Sequence, residues 1–294
     1  MIAKLKGRNI GLHIIFILLS ITFVVPLLMV LSVSVSSQSN LYVTGFRLIP
    51  TEISFEAYTY IFNKPDKILD AYKITIITSV ISLAGFLLMA SLCGYALSRR
   101  DFAWRKGITF YLFFTMLFSG GLVPYYILCT QYLGIGNSIW ALIIPQLGNV
   151  WYIFLMRTYF QDIPTSITES ATIDGANELQ IFTRIILPLS TPSLATIGLL
   201  QFLNYWNSWY NALLFITDKK LVPLQYLLQT MLRNVIEIQK SMQGVGANYV
   251  QLRDMPTEPL QMAMCVLAIG PVLFVFPFFQ KYFAKGLTVG SVKG

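Results

Sequence analysis

The sequence predicts an all-α protein that crosses a membrane repeatedly, and three observations carry that expectation. Hydrophobic residues make up 55% of the 294 positions, charged residues only 12%, and the mean hydropathy is +0.64, against roughly 25% charge in an ordinary soluble domain. Leu, Ile, Val and Phe gather in runs long enough to cross a hydrocarbon core of about 30 Å, which takes around 20 helical residues. The dyad alternation and many short strands of a membrane barrel are not found. Helices satisfy their own backbone hydrogen bonds in lipid, so the runs are read as helices.

Six spans follow in order, at residues 10–31, 72–97, 108–129, 139–160, 193–216 and 260–282, within a single transmembrane domain covering 1–294. Pro26, Pro124, Pro145, Pro271 and Pro277 fall inside or at the rims of these runs, and kinks are expected there. The first run follows Lys4, Lys6 and Arg8 in the manner of a signal peptide. It is too long for one, and residues 32–39 offer a weak cleavage site, so an uncleaved first helix is expected.

Orientation comes from the basic residues. With both termini on one side, that side carries 12 Lys and Arg against five acids, including Arg99, Arg100, Arg105 and Lys106 in one short loop and Lys281, Lys285 and Lys293 after the last span. The other side carries nine against eight. The positive-inside bias then places both termini in the cytoplasm. The net charge of +8 is therefore a topology signal, and no basic face with interleaved aromatics points to nucleic acid.

Other chemistry finds little support. Cys93, Cys129 and Cys265 are an odd count without a CxxC pair and read as small packing residues. His13 is a lone ring near a helix end. No metal cluster, nucleophile elbow or phosphate loop is present, so no catalytic or metal-binding residue is assigned and the chain is not expected to hydrolyse ATP. The spans also lack the buried charges that ion-coupled carriers use. Transport is then passive, or its energy comes from another subunit.

The most informative segment is a polar island between the fourth and fifth spans, with Glu169, Asp174, Glu178 and the helix-weakening Gly175. Pro164 breaks the preceding span, and Ser166-Ile-Thr-Glu169 fits a capping box that starts a short helix within 165–179. Ile167, Ala171 and Leu179 recur at fourfold spacing as a narrow apolar stripe, Asp174 and Glu178 form another face, and Gly175 permits a bend. The pattern alone also fits a plain solvated loop.

A resemblance adds to this. Glu169, Ala171, Gly175, Ile185, Leu187 and Pro188 match the E-A-A, three residues, G, nine residues, I-x-L-P loop of the membrane subunits of ATP-driven (ABC) importers, with Ser170 replacing the middle Ala. Gly94-Tyr-Ala-Leu-Ser-Arg99, Leu203-Asn-Tyr-Trp-Asn207 and the C-terminal Gln280-Lys-Tyr-Phe-Ala-Lys-Gly-Leu-Thr-Val-Gly-Ser-Val-Lys-Gly294 extend it along nearly the whole chain. The chain resembles the shorter permease of the maltose-type carbohydrate importers, and within these the Gram-positive polysaccharide and oligosaccharide permeases.

The resemblance implies a type I importer permease in the bacterial cytoplasmic membrane. Glu169, Ser170, Ala171, Asp174, Gly175 and Pro188 would belong to a coupling helix seated in a cleft of an ATPase subunit, with Glu169 paired to a basic residue there. The tail at 286–294, with Gly286, Thr288, Gly290 and Lys293, would reach the ATPase dimer interface. Implied partners are a second, homologous permease, two ATPase subunits carrying ATP and Mg, and an extracellular solute-binding protein docking on outer loops 32–71 and 217–258. This chain itself would bind no cofactor.

For the substrate path, the fifth span gathers Asn204, Trp206, Asn207, Trp209 and Tyr210, with Gln201, Tyr205 and Asn211, into little more than two turns. Amides and aromatic faces suit a sugar. The same set also fits an interfacial aromatic belt, with Asn side chains holding neighbouring helices together. Three functions stay open: a sugar importer permease, an importer permease for another solute, and a self-contained channel or secondary transporter.

Overall fold

The computed structural model describes residues 10–63, 65–244 and 256–289. Every regular element among them is helical, apart from one isolated antiparallel bridge between Ser36 and Ile53. In chain order the helices are α1 (Ile10–Ser34), α2 (Gln38–Thr44), α3 (Glu56–Ile61), α4 (Pro65–Ser98), α5 (Arg105–Leu117), α6 (Leu122–Ile127), α7 (Trp140–Ile143) and α8 (Val150–Gln161). There follow α9 (Thr165–Ile173), α10 (Glu178–Ile181), α11 (Leu187–Leu189), α12 (Thr191–Trp206), α13 (Tyr210–Phe215), α14 (Leu224–Gly244) and α15 (Thr257–Val289). The chain packs as two units, one of residues 1–68 and 228–271, the other of 69–227 and 272–294.

In the first unit α1 is apolar on every side, and its hydrophobic window is wholly exposed within this chain. Such a helix belongs in lipid or against another chain. Polar bonds tie the connecting segments: the Tyr58 hydroxyl donates to Ser34 Oγ at 3.0 Å and Ser32 Oγ to the Arg47 carbonyl at 2.7 Å. Gln38, almost fully buried, bonds through its side-chain amide to Glu258 and accepts the Glu258 N–H at 3.2 Å.

The second unit holds the main core. Phe86, Ala90 and Leu97 of α4 meet Ile153, Met156 and Phe160 of α8, Ala171 of α9, Ile181, Phe182 and Ile186 of the following segment, and Ile197 and Tyr205 of α12. This one cluster therefore joins three of the predicted spans to the polar island.

Among the described residues three helices are continuous and apolar enough to span a bilayer, at Gly11–Ser34, Pro65–Ser98 and Thr257–Pro277. The other predicted spans are interrupted. Arg105–Leu117 and Leu122–Tyr132 meet at 115° across the Ser119-Gly120-Gly121 stretch. The fourth splits into α7, a 3-10 turn at Ile144–Gln146 containing Pro145, and α8; a proline lacks the N–H that would continue an α-helix. The fifth starts from a 75° bend between Glu178–Leu189 and Thr191–Trp206, and its far end breaks after Trp206 before resuming as α13. Pro26, Pro271 and Pro277, where kinks were expected, remain inside unbroken helices.

Lys4, Lys6, Arg8, Gly290 and Lys293 lie outside the described residues. The backbone of Gly286 and Thr288 continues α15.

Candidate functional site

The polar island forms two short helices, and its local chemistry differs from the expected pattern at the start. Pro164 precedes α9 with an extended ψ of 129°, and no side chain caps the helix. The Ser166–Glu169 box is not formed. Instead the hydroxyls of Thr168, Ser170 and Thr172 donate to the carbonyls of Thr165, Ser166 and Thr168 at 2.8–2.9 Å, bonds that Ser and Thr make readily to the preceding turn. A full capping box occurs further on: Asn177 Oδ1 accepts the Gln180 N–H, and Gln180 Oε1 accepts the Asn177 N–H, both at 2.9 Å.

Between the two helices Gly175 adopts φ +82°, a conformation that a side chain resists. Its N–H bonds to the Thr172 carbonyl and that of Ala176 to the Ala171 carbonyl, each at 3.0 Å. This is the Schellman pattern, which closes α9 and turns the chain. The bend expected at Gly175 is present.

Because the helix stops at Ile173, the expected stripe of Ile167, Ala171 and Leu179 does not form one face. Thr168 and Ala171 are the buried pair of α9, at 9% and 8% exposure, while Leu179 sits on α10 at 67%. Ile173, which the periodicity did not single out, is 86% exposed at the tip of α9. Glu169, Ser170, Asp174 and Gly175 are exposed around it, and Pro188 is exposed on α11. Glu169 stands in a cleft of about 930 Å³ with Arg99, Arg100 and Arg105 on its walls.

Asp174 and Glu178 do not share a face either. Asp174 is the exposed C-cap of α9, whereas Glu178 is bonded to the end of α4. Arg99 Nη2 lies 2.8 Å from Glu178 Oε1, and the Tyr95 hydroxyl donates to Glu178 Oε2 at 2.7 Å. Burial disfavours the charged Arg99 guanidinium, but the Glu178 carboxylate together with Asp101 and Tyr95 more than offsets it and raises the pKa above its usual value. The Tyr95 ring packs 5.0 Å from Phe182 and edge-on, at 6.2 Å, to Phe160.

One residue before Tyr95, Gly94 lies against the backbone of α8. A Cβ there would come within 2.9 Å of Met156 Cβ and 3.1 Å of the Arg157 nitrogen. Downstream, Pro188 cannot donate to the preceding turn, and the helix widens into a π-turn at Phe182–Ile186 just before it. The polar island is thus fastened to α4 and α8, and Glu169 and Ile173 of α9 line the open cleft beside the ends of those helices.

The Glu178–Arg99 pair is exposed enough that its stabilising effect is expected to be under about 1 kcal/mol. Reversing either charge alone should therefore spare folding but lower transport several-fold, and the double exchange Arg99→Glu with Glu178→Arg should recover much of it. Uptake in reconstituted vesicles measures this; singles and double that are equally impaired would deny the pair any role in transmission.

The substrate-path set is divided. Trp206 is 3% exposed and packs 6.0 Å from Phe202. Asn204 Nδ2 donates to Gln201 Oε1 at 3.3 Å, and Asn207 donates to the Leu203 carbonyl at 2.9 Å while accepting from Gln225 at 3.2 Å. Asn207 is the C-cap of α12, so the continuous two-turn array does not exist. Trp209 is partly buried, and Tyr210, 46% exposed, meets it edge-on at 5.9 Å.

The family described as "Binding-protein-dependent transport system inner membrane component" matches residues 2–289. The chain is 41% identical to the polygalacturonan/rhamnogalacturonan transport system permease protein YtcP of Bacillus subtilis (strain 168), over 92% of this chain and 93% of that one. It is 30% identical to the arabinooligosaccharides transport system permease protein AraQ of the same organism, over 97% and 96%. Among solved structures it is similar to a chain of a bacterial ABC transporter involved in the import of the acidic polysaccharide alginate, with TM-score 0.77, 28% identity, and coverage of 95% and 98%. The helices long and apolar enough to span a membrane agree with these likenesses, and the chain belongs to the family of binding-protein-dependent transport system inner membrane components.

Proposed function

We propose that this chain is one of two permease subunits of an ABC importer for an oligo- or polysaccharide, and that it transmits ATP-driven motion from a separate ATPase through α9. The observation that carries this is the build of the loop. It is bonded to α4 and packed on α8, while the exposed Glu169 and the 86%-exposed Ile173 of α9 line an open cleft with Arg99, Arg100 and Arg105 on its walls. An isoleucine so exposed beside a carboxylate suits a partner with an apolar cleft and a basic rim.

The sugar assignment is supported by relatives named as polygalacturonan/rhamnogalacturonan, arabinooligosaccharide and galactooligosaccharide transport permeases and by the alginate importer. In this reading both termini are cytoplasmic, ATP and Mg are held by the ATPase pair, and an extracellular binding protein delivers the sugar. The tail with Gly286, Thr288, Gly290 and Lys293 runs to the ATPase interface. ATP binding closes the ATPase dimer, α9 moves with its cleft, and the membrane helices pass from an inward-open to an outward-open state, each state favoured by its own ligand.

The test is purification of the chain from its native membrane in mild detergent, followed by reconstitution with whatever accompanies it. An ATPase, a second permease and a binding protein are expected, with ATP-dependent uptake of labelled oligogalacturonides, arabino-oligosaccharides or galacto-oligosaccharides. Transport by the chain alone without ATP would establish a channel or carrier instead. ATP-driven uptake of amino acids or other solutes, and of no sugar, would replace the cargo.

A further inference from the structure

We propose that the hollow at the break of the third span is a subsite for one sugar ring, with Tyr210 as its stacking face and the Ser119–Gly120 backbone as its hydrogen-bonding edge. The proposal rests on the sugar-importer reading. It begins from a conflict: residues 118–121 lie inside an apolar run yet are non-helical and exposed. Irregular backbone at membrane depth persists only where it is buried in protein or lines a water-filled space. Exposure rules out the first within this chain.

The turn satisfies only part of itself. The Phe118 N–H bonds to the Phe114 carbonyl at 3.1 Å and the Gly121 N–H to Ser119 Oγ at 3.3 Å, which leaves the amides of Ser119 and Gly120 with no protein acceptor among the described residues. Both line a hollow of about 540 Å³, within the roughly 300–1,000 Å³ range of small-molecule sites. Tyr125 and Tyr210 form part of its wall.

Those two rings are held differently. Tyr125 is fixed by donating its hydroxyl to Asn211 Oδ1 at 3.0 Å, Asn211 itself being 7% exposed. Tyr210 is braced edge-on by Trp209, and close to half of its surface is open. Free amides beside an open aromatic face match a pyranose, whose hydroxyls need polar partners and whose C–H face packs on a ring.

The position suits a transport subsite. α12 leaves the coupling loop and runs 16 residues before the break that leads to Tyr210, a rise of about 24 Å. The hollow thus lies at the end of α12 remote from α9, where a sugar would arrive from the binding protein.

The experiment uses the complete importer in proteoliposomes with its binding protein, and as probe a labelled mixture of oligogalacturonides, arabino-oligosaccharides and galacto-oligosaccharides. Tyr210→Ala is expected to lower uptake about tenfold and Tyr210→Phe less than about twofold, since the ring face is what matters. Ser119→Phe, which fills the hollow without removing a packed ring, is expected to act like Tyr210→Ala. Subunit ratios in the purified complex should not change. Wild-type uptake with unimpaired Tyr210→Ala and Ser119→Phe overturns the subsite alone. Loss of the second permease from either variant overturns it by making the hollow a subunit contact. Absence of wild-type uptake of the whole mixture overturns the sugar reading, and the subsite with it.

Discussion

Glu169→Lys is expected to abolish recovery of the ATPase with this chain while leaving its membrane insertion intact. The substitution touches none of the core: Glu169 is exposed, its neighbours Thr168 and Ala171 make the inward contacts, and the loop is held by Glu178 and the Asn177–Gln180 box. At the proposed ATPase surface the change would replace a charge attraction by a repulsion, and breaking a desolvated pair of this kind costs about 2–5 kcal/mol. Ile173→Asp should behave alike for a different reason. An isoleucine buried on binding contributes about 1.5–3 kcal/mol, and a carboxylate there would in addition have to be stripped of water. Pull-down of the ATPase and ATP-driven uptake measure both variants against protein yield. Normal uptake by Glu169→Lys would remove the coupling assignment, and normal uptake by Ile173→Asp would show that α9 does not seat by its tip.

What the sequence made legible divides along the range of the interactions. The apolar runs, the polar island and the stop at Gly175 are written in neighbouring residues, because hydrophobic length and a glycine one position beyond a helix C-cap act locally. The start of α9 departs from its local pattern. Two segments have capping-box character, Ser166–Glu169 and Asn177–Gln180, but α9 begins directly after Pro164 with no side-chain cap, and only the box that caps α10 forms. The stripe through Leu179 failed because fourfold spacing assumes an unbroken helix, and the Schellman turn resets the register. The breaks of the spans escaped for a related reason: Ser119-Gly120-Gly121 weakens a helix, but whether the chain bends there depends on what surrounds it. The bonds of Glu178 to Tyr95 and Arg99 join residues 83 and 79 positions apart, and no spacing rule connects such residues. The Gly94–Arg99 segment was noticeable only as a family marker, although it holds both the close helix crossing and the partners of Glu178.

Gly94→Leu is expected to prevent α4 and α8 from packing, and with it to destroy the platform on which the proposed coupling loop rests. A Cβ at this position meets Met156 Cβ at 2.9 Å and, behind it, the backbone of Met156 and Arg157 at 3.1–3.3 Å. A flexible side-chain tip could move away, but backbone in the middle of a helix cannot without separating the helices, and overpacking of this kind costs about 1–3 kcal/mol even for modest insertions. Gly94→Ala sets two effects against each other, since alanine favours a helix over glycine by about 1 kcal/mol while its methyl makes the clash; a net loss is expected. Gly198 of α12 is the control. Its Cβ would meet only Leu87 and Leu83 side-chain atoms, at 3.5–3.9 Å, so Gly198→Ala should keep the propensity gain and leave stability unchanged or slightly raised. Thermal unfolding of the purified chain in detergent, followed by gel filtration, separates the cases. If Gly94→Leu unfolded at the wild-type temperature, the approach of α4 to α8 would not be what supports the coupling loop, and transmission would have to run through the Arg99–Glu178 pair alone.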